Sequence, residues 1–110
     1  MQAKVEINAG ICGFRTTAAV ASADDQNVTF TVTSDCEKIR KLGLALQAKG
    51  PVDAYQEIAT GAEGVLLTTT RACLCGCCSG CIVPTGLFKG MQVAAGLALP
   101  KDLSVRLTKE

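Results

Sequence analysis

The chain of 110 residues contains no histidine and no tryptophan, and aromatic residues make up only 4% of it. Without histidine there can be no Cys-His nucleophile and no imidazole metal ligand or proton shuttle. With so few aromatic rings the interior must be built from Val, Ile, Leu and Ala, a light core to whose stability a bound cofactor could add. A marked excess of either charge is missing too. The formal net charge is +1, with Lys and Arg dispersed among Asp and Glu, which argues against nucleic acid or an anionic membrane as partner. Nor is there a long apolar run: Val93 to Leu99 spans seven residues, against the roughly 20 that a membrane-spanning helix needs. The opening "MQAKVEINAGICGF" alternates polar and apolar positions, with no continuous stretch resembling a signal peptide, so a cytoplasmic protein is expected.

What is present is cysteine. There are seven in all, five of them in nine positions within "CLCGCCSGCIVP", residues Cys73 to Pro84. An odd number in a reducing compartment makes a poor disulfide framework and a better set for metal or redox chemistry.

The length fits one domain, residues 1–110, with a cysteine-rich loop at 73–83. A chain of this size buries roughly two thirds of its unfolded surface by packing alone. Val5 and Ile7 alternate with polar neighbours and predict a first strand ending near Gly10. A second strand is expected over Phe14–Val20 and a third in "NVTFTVT", joined through the turn-forming "SADDQN". At "SDCEKIRKLGLAL" the period changes: Ser34 and Glu37 have capping-box spacing, Ile39, Leu42 and Leu46 follow at helical intervals, and Cys36 falls in the first turn. "KGP" ends that helix, and Asp53 with Gln56 begins a shorter one through Ile58, broken at Gly61–Gly64. "VLLTTT" reads equally as a buried strand or as the run into the cysteine loop. Pro84 suits the first turn of a last helix carrying Leu87, Phe88, Met91, Ala94 and Ala95, with Gly86 and Gly90 allowing close approach to a sheet. Leu103, Val105 and Leu107 alternate with polar residues and predict a closing strand. The expected fold is α+β: a small antiparallel or mixed sheet of about four strands, three N-terminal and one C-terminal, packed with two to three helices.

Counted by three, Cys75, Cys78 and Cys81 spell CxxCxxC, the run that wraps three corners of a 4Fe-4S cluster in bacterial ferredoxins. The ferredoxin pattern continues to a fourth cysteine, but Thr85 holds that position here, so a fourth ligand must come from elsewhere in the fold. Cys12, in a glycine-flanked turn, and Cys36, at a helix start, are available, and helix N-termini favour thiolate over thiol. Cys81, just before another helix start, gains the same help. Counted by two, Cys73, Cys75 and Cys77 share one face of an extended segment, and with the adjacent Cys77 and Cys78 they form CxC and CC elements suited to zinc or copper(I). A thiol-disulfide role for Cys78 and Cys81 is chemically reasonable but leaves Cys12 and Cys36 unexplained. As small buried residues, five cysteines in one loop would have too little core to pack into.

Together, "AKVEINAGICGF", "SDCEKI" and "GLALPKDLSV" resemble a family of small uncharacterised proteins of anaerobic bacteria and archaea, nearly end to end. That resemblance implies a cysteine in the first block, one in the second and one before the last helix, matching Cys12, Cys36 and Cys81. The abundance of cysteine at 73–78 departs from it and implies extra metal capacity. Residues from about Cys78 to Leu107 also resemble the C-terminal domain of nitrogen-fixation U-type cluster scaffolds, which implies cluster carriage.

The resulting expectation is a small iron-sulfur protein, its ligands Cys12, Cys36, Cys78 and Cys81 with Cys75 competing for one corner, acting in electron transfer or cluster storage and delivery. The alternative is a zinc or other soft-metal thiolate site. Its partner would be a redox or cluster-transfer protein, with a homodimer sharing the centre left open. No acid-base pair suggests substrate turnover: Asp35 and Glu37 flank Cys36, where capping and solvation explain them.

Overall fold

The computed structural model describes residues 1–110. It is an α+β fold with a four-stranded antiparallel sheet in the order β1-β2-β3-β4, formed by β1 (Gln2–Asn8), β2 (Arg15–Ala21), β3 (Asn27–Ser34) and β4 (Val52–Asp53). The helices are α1 (Glu37–Lys49), α2 (Ala54–Thr60), α3 (Val65–Ala72) and α4 (Val83–Ala94), with 3-10 turns at Gly61–Glu63 and Gly76–Gly80. None is long and apolar enough to cross a membrane.

Period-two alternation fixes which side of the sheet is covered. Thr16, Ala18 and Val20 of β2 and Val28 and Phe30 of β3 are buried, whereas Thr17, Ala19, Thr29, Thr31 and Thr33 face solvent. Onto the buried face, α1 brings Ile39, Leu42 and Leu46, α3 brings Leu66, and α4 brings Leu87, Met91 and Ala94. Helix α1 lies on β3, α4 lies on β1 and β2, and α3 packs between α1 and α4.

The β2–β3 turn is closed by Asp24. Its Oδ1 accepts from the backbone N–H groups of Gln26 at 3.0 Å and Asn27 at 2.7 Å, and its Oδ2 accepts from Asn27 Nδ2 at 2.8 Å. These donors, Asn27 foremost, favour the ionised form and lower its pKa to about 2. Asp53 caps α2 by accepting from the N–H groups of Tyr55 and Gln56.

Gly86 and Gly90 set the depth of α4. A Cβ at Gly86 would come within 2.6 Å of Ile7 Cδ1, and one at Gly90 within 2.5 Å of Val5 Cγ2. Gly90→Val is therefore expected to overpack this seam and cost about 2 kcal/mol. Exposed Lys89→Ala should shift stability by less than about 0.5 kcal/mol. Urea-unfolding midpoints of the two variants check this; equal midpoints would mean that α4 does not need the close approach.

Four expectations are corrected. Ser34 and Glu37 form no capping box: Cys36 is the N-cap of α1, its side chain making no cap hydrogen bond. Ser34 ends β3 instead, its buried hydroxyl 2.8 Å from Thr16 Oγ1 on the paired strand, while Glu37 pairs with Lys41 along the helix at 3.7 Å. "VLLTTT" is neither strand nor loop but helix α3. The two or three expected helices number four. No C-terminal strand forms in the single chain; the fourth strand is Val52–Asp53, paired with Asn27 and Val28, and residues 101–110 are exposed without regular structure.

Candidate metal centre

Three loops meet at one end of the sheet. The β1–β2 loop, carrying Cys12, leaves β1 at Asn8 and enters β2 at Arg15, residues paired with each other. The β3–α1 junction, carrying Cys36, is tied to the same place by the Asp35 N–H, which donates to the Arg15 carbonyl at 3.3 Å. The start of α4 lies there as well, because Gly86 rests on Ile7, next to the end of β1. Cys81 stands two residues before α4.

Cys12 is exposed in a tight turn in which the Gly13 N–H donates to the Gly10 carbonyl at 2.9 Å. Gly10 and Gly13 have φ of 90° and 73°, which side chains with a Cβ rarely adopt. Beside Cys12, Ile11 and Phe14 are also exposed. Cys36 is half-buried; its N–H donates to Ser34 Oγ at 3.1 Å, and its carbonyl accepts from the Arg40 N–H at 2.9 Å. Arg40 Nη1 donates to the Ser34 carbonyl at 3.0 Å and braces the same corner.

Cys73 is the C-cap of α3 and half-buried, and Leu74 next to it is fully in the core. That anchor explains why the following segment is held against the body rather than free. Cys75, exposed, precedes the 3-10 turn Gly76–Gly80. Cys77 is exposed, while Cys78 and Cys81 are half-buried and packed on the core together with Cys36 and Cys73. The Cys78 N–H donates to the Cys75 carbonyl at 3.3 Å and the Cys81 N–H to the Cys78 carbonyl at 3.0 Å, so successive turns repeat the CxxCxxC spacing.

The link across the chain is Lys38. From the first turn of α1 its Nζ donates to Cys78 Sγ at 3.5 Å, bridging 40 positions of sequence. The hydrogen bond and negative charge of Cys78, then the charges of Cys75 and Cys36, hold the Lys38 ammonium above the usual lysine range. Three of the five expected ligands thus act on one cation. Cys81 is joined to them through Cys78, whereas Cys12 is brought to this end by its hairpin alone.

All seven cysteines are free thiols. No group of three or more Cys, Asp or Glu side chains is arranged to hold a metal ion. The donor set fits a soft metal in kind, cysteine sulfurs with no competing imidazole, but its sulfurs are not arranged around a common point.

The sequence reading missed Lys38 and Glu57. Lys38 lies beside Cys36 in "CEK", but nothing local pairs it with Cys78. Glu57, on α2, is buried and accepts from the Val65 N–H at 3.1 Å and from the Leu66 N–H, capping α3 from another helix. Helix α3 carries the chain into the cysteine segment, so this cap fixes where that segment begins.

Residues 3–107 match the family of unknown function DUF6951. The chain belongs to that family. No curated protein and no solved structure matches it significantly. Coverage of nearly the whole chain places the cysteine segment and the C-terminal residues alike within the family's extent.

Proposed function

We propose that this DUF6951 protein binds an iron-sulfur cluster of the 4Fe-4S type and serves in electron transfer or in cluster storage and delivery. The observation that carries the reading is the Lys38 ammonium, bonded to Cys78 Sγ and within the field of Cys36 and Cys75. Cysteines from two distant segments lie about one positive charge there, an environment suited to a centre whose four sulfur ligands would bring net negative charge.

In this reading Cys36, Cys78 and Cys81 hold three corners, and Cys12 holds the fourth in competition with Cys75. Cys36 stands at the N-cap of α1, where its side chain leaves the N–H groups of the first turn free, and Cys81 stands ahead of those of α4. Gly76 and Gly80 let the backbone of the 3-10 turn lie close to a bulky inorganic group, since nothing stands within 4 Å of a Cβ at either position. A bound cluster would supply one-electron chemistry. Lys38 offsets the negative charge, and Ile11 and Phe14 present an apolar rim for a redox or cluster-transfer partner. The sequence blocks fit a cytoplasmic protein of anaerobic bacteria or archaea, where such centres survive.

A second reading, zinc or another soft metal, is favoured by exposed Cys75 and Cys77 on a single turn, two thiols open to solvent and available for metal exchange. Anaerobic purification of the full chain distinguishes them. Brown protein with broad absorption near roughly 400 nm and bound iron and sulfide is expected. Colourless protein with stoichiometric zinc would replace the cluster with the second reading. Metal-free protein that forms a Cys78–Cys81 disulfide on mild oxidation would replace both with a dithiol function.

A further inference from the structure

The C-terminal tail and the edge of the sheet are two halves of an unmade strand pair. Strand β1 lies at the edge of the sheet, paired only with β2. Its inward side chains, Ala3, Val5 and Ile7, are only partly buried although they pack against the core. The tail carries the period-two pattern of a strand, but past Leu97 none of its backbone groups is paired. Leu103, Val105 and Leu107 are 47%, 69% and 89% exposed. An open edge and an apolar strand without a partner are both costly in water, and each is what the other lacks.

We propose that residues Leu103–Thr108 of one chain add as a strand to the free edge of β1 in a second copy, and that the exchange is reciprocal. The tail segment is close in length to the seven residues of β1. With Leu103, Val105 and Leu107 beside Ala3, Val5 and Ile7, the apolar face of the sheet is continued and the flank of α4 is covered. Ser104, Arg106 and Thr108 then fall on the solvent face that carries Lys4 and Glu6, bringing Arg106 to the side of Glu6.

The path of the chain favours the second copy over the chain's own β1. Helix α4 begins beside Ile7 and ends where Gly96 meets the Met1 side chain, so it runs against the direction of β1. In the single chain the tail does not fold back onto its own β1: residues 101–110 are exposed and their backbone groups unpaired. Pro100 favours an extended Leu99, and the residues that follow are exposed. Two chains, each giving its tail to the other, form a closed two-fold pair in which both β1 edges are covered.

Light scattering coupled to size-exclusion chromatography of the full chain tests this, together with Val105→Asp. Val105 is mostly exposed in the single chain, so the substitution leaves the fold intact, which circular dichroism confirms. The expected result is twice the 11.4 kDa mass for the wild type and loss of the dimer in Val105→Asp. Hydrogen exchange should show protected amides at 103–108 in the wild type only. A wild-type protein of single-chain mass, with its tail either free or folded back on its own sheet, would overturn the proposal. A Val105→Asp variant that remains dimeric would overturn it too.

Discussion

Changing Cys36 to Ser should strip the centre as thoroughly as changing Cys81, although Cys36 lies 45 positions before Cys81 and outside the cysteine-rich segment. Loss of a thiolate ligand is expected to lower metal affinity at least about tenfold. Misfolding is not a competing explanation. Cys36 occupies the N-cap of α1 and makes no side-chain cap bond there. Serine is a better N-cap than cysteine, so the variant should be at least as stable as the parent when both are metal-free. Cys73→Ser serves as the comparison: Cys73 closes α3 and packs on the core, and its replacement should leave metal content near that of the wild type. Iron per chain after anaerobic purification reads the difference. Full metal content in Cys36→Ser would show that residues 73–81 bind alone.

The second large effect is one of stability. Glu57→Ala removes the carboxylate that accepts from the Val65 and Leu66 N–H groups at the start of α3. Gly64, the N-cap of α3, has no side chain to replace it. Two donors would be left without a partner, Leu66 in the core, at a cost of about 2–3 kcal/mol. That is a large share of the typical stability of about 5–15 kcal/mol for a domain. Glu57→Gln keeps one acceptor oxygen and should lie between. Exposed Glu63→Ala should change stability by less than about 0.5 kcal/mol. Urea unfolding of the three variants checks the order, and a Glu57→Ala protein as stable as Glu63→Ala would contradict the capping role.

How much of this was legible in the sequence depended on how far each signal reached along the chain. Val28 and Phe30, or Ile39, Leu42 and Leu46, declare strand and helix within one short window, and those elements formed as read. Asp53 and Pro84 did the same for the starts of α2 and α4. Helix α3 could not be read that way. Its run of β-branched threonines favours a strand, and what starts the helix is the side chain of Glu57 on another element. Ser34 misled because the spacing to Glu37 satisfies a capping box, while its hydroxyl had a partner in Thr16 that appears only once β2 and β3 pair. The tail kept the pattern of a strand without the neighbour a strand requires.

The candidate site divides along the same line. Spacing picked out the cysteines, because five thiols in nine positions stand out against any background composition. It could not show that Cys36 and the 73–81 segment come to the same end of the sheet. That follows from the antiparallel pairing of β1, β2 and β3 and from the direction of α4. Nor could it show that Lys38 is the cation they share.

The central claim is that sulfurs far apart in sequence close on a single inorganic centre. Crystals of the full chain grown without oxygen, with anomalous scattering recorded at the iron edge, test it directly. One iron-rich peak bonded to the sulfurs of Cys36, Cys78 and Cys81, completed by Cys12 or Cys75, is the expected result. Metal held only by cysteines of residues 73–81, with Cys36 turned away from it, would contradict the account.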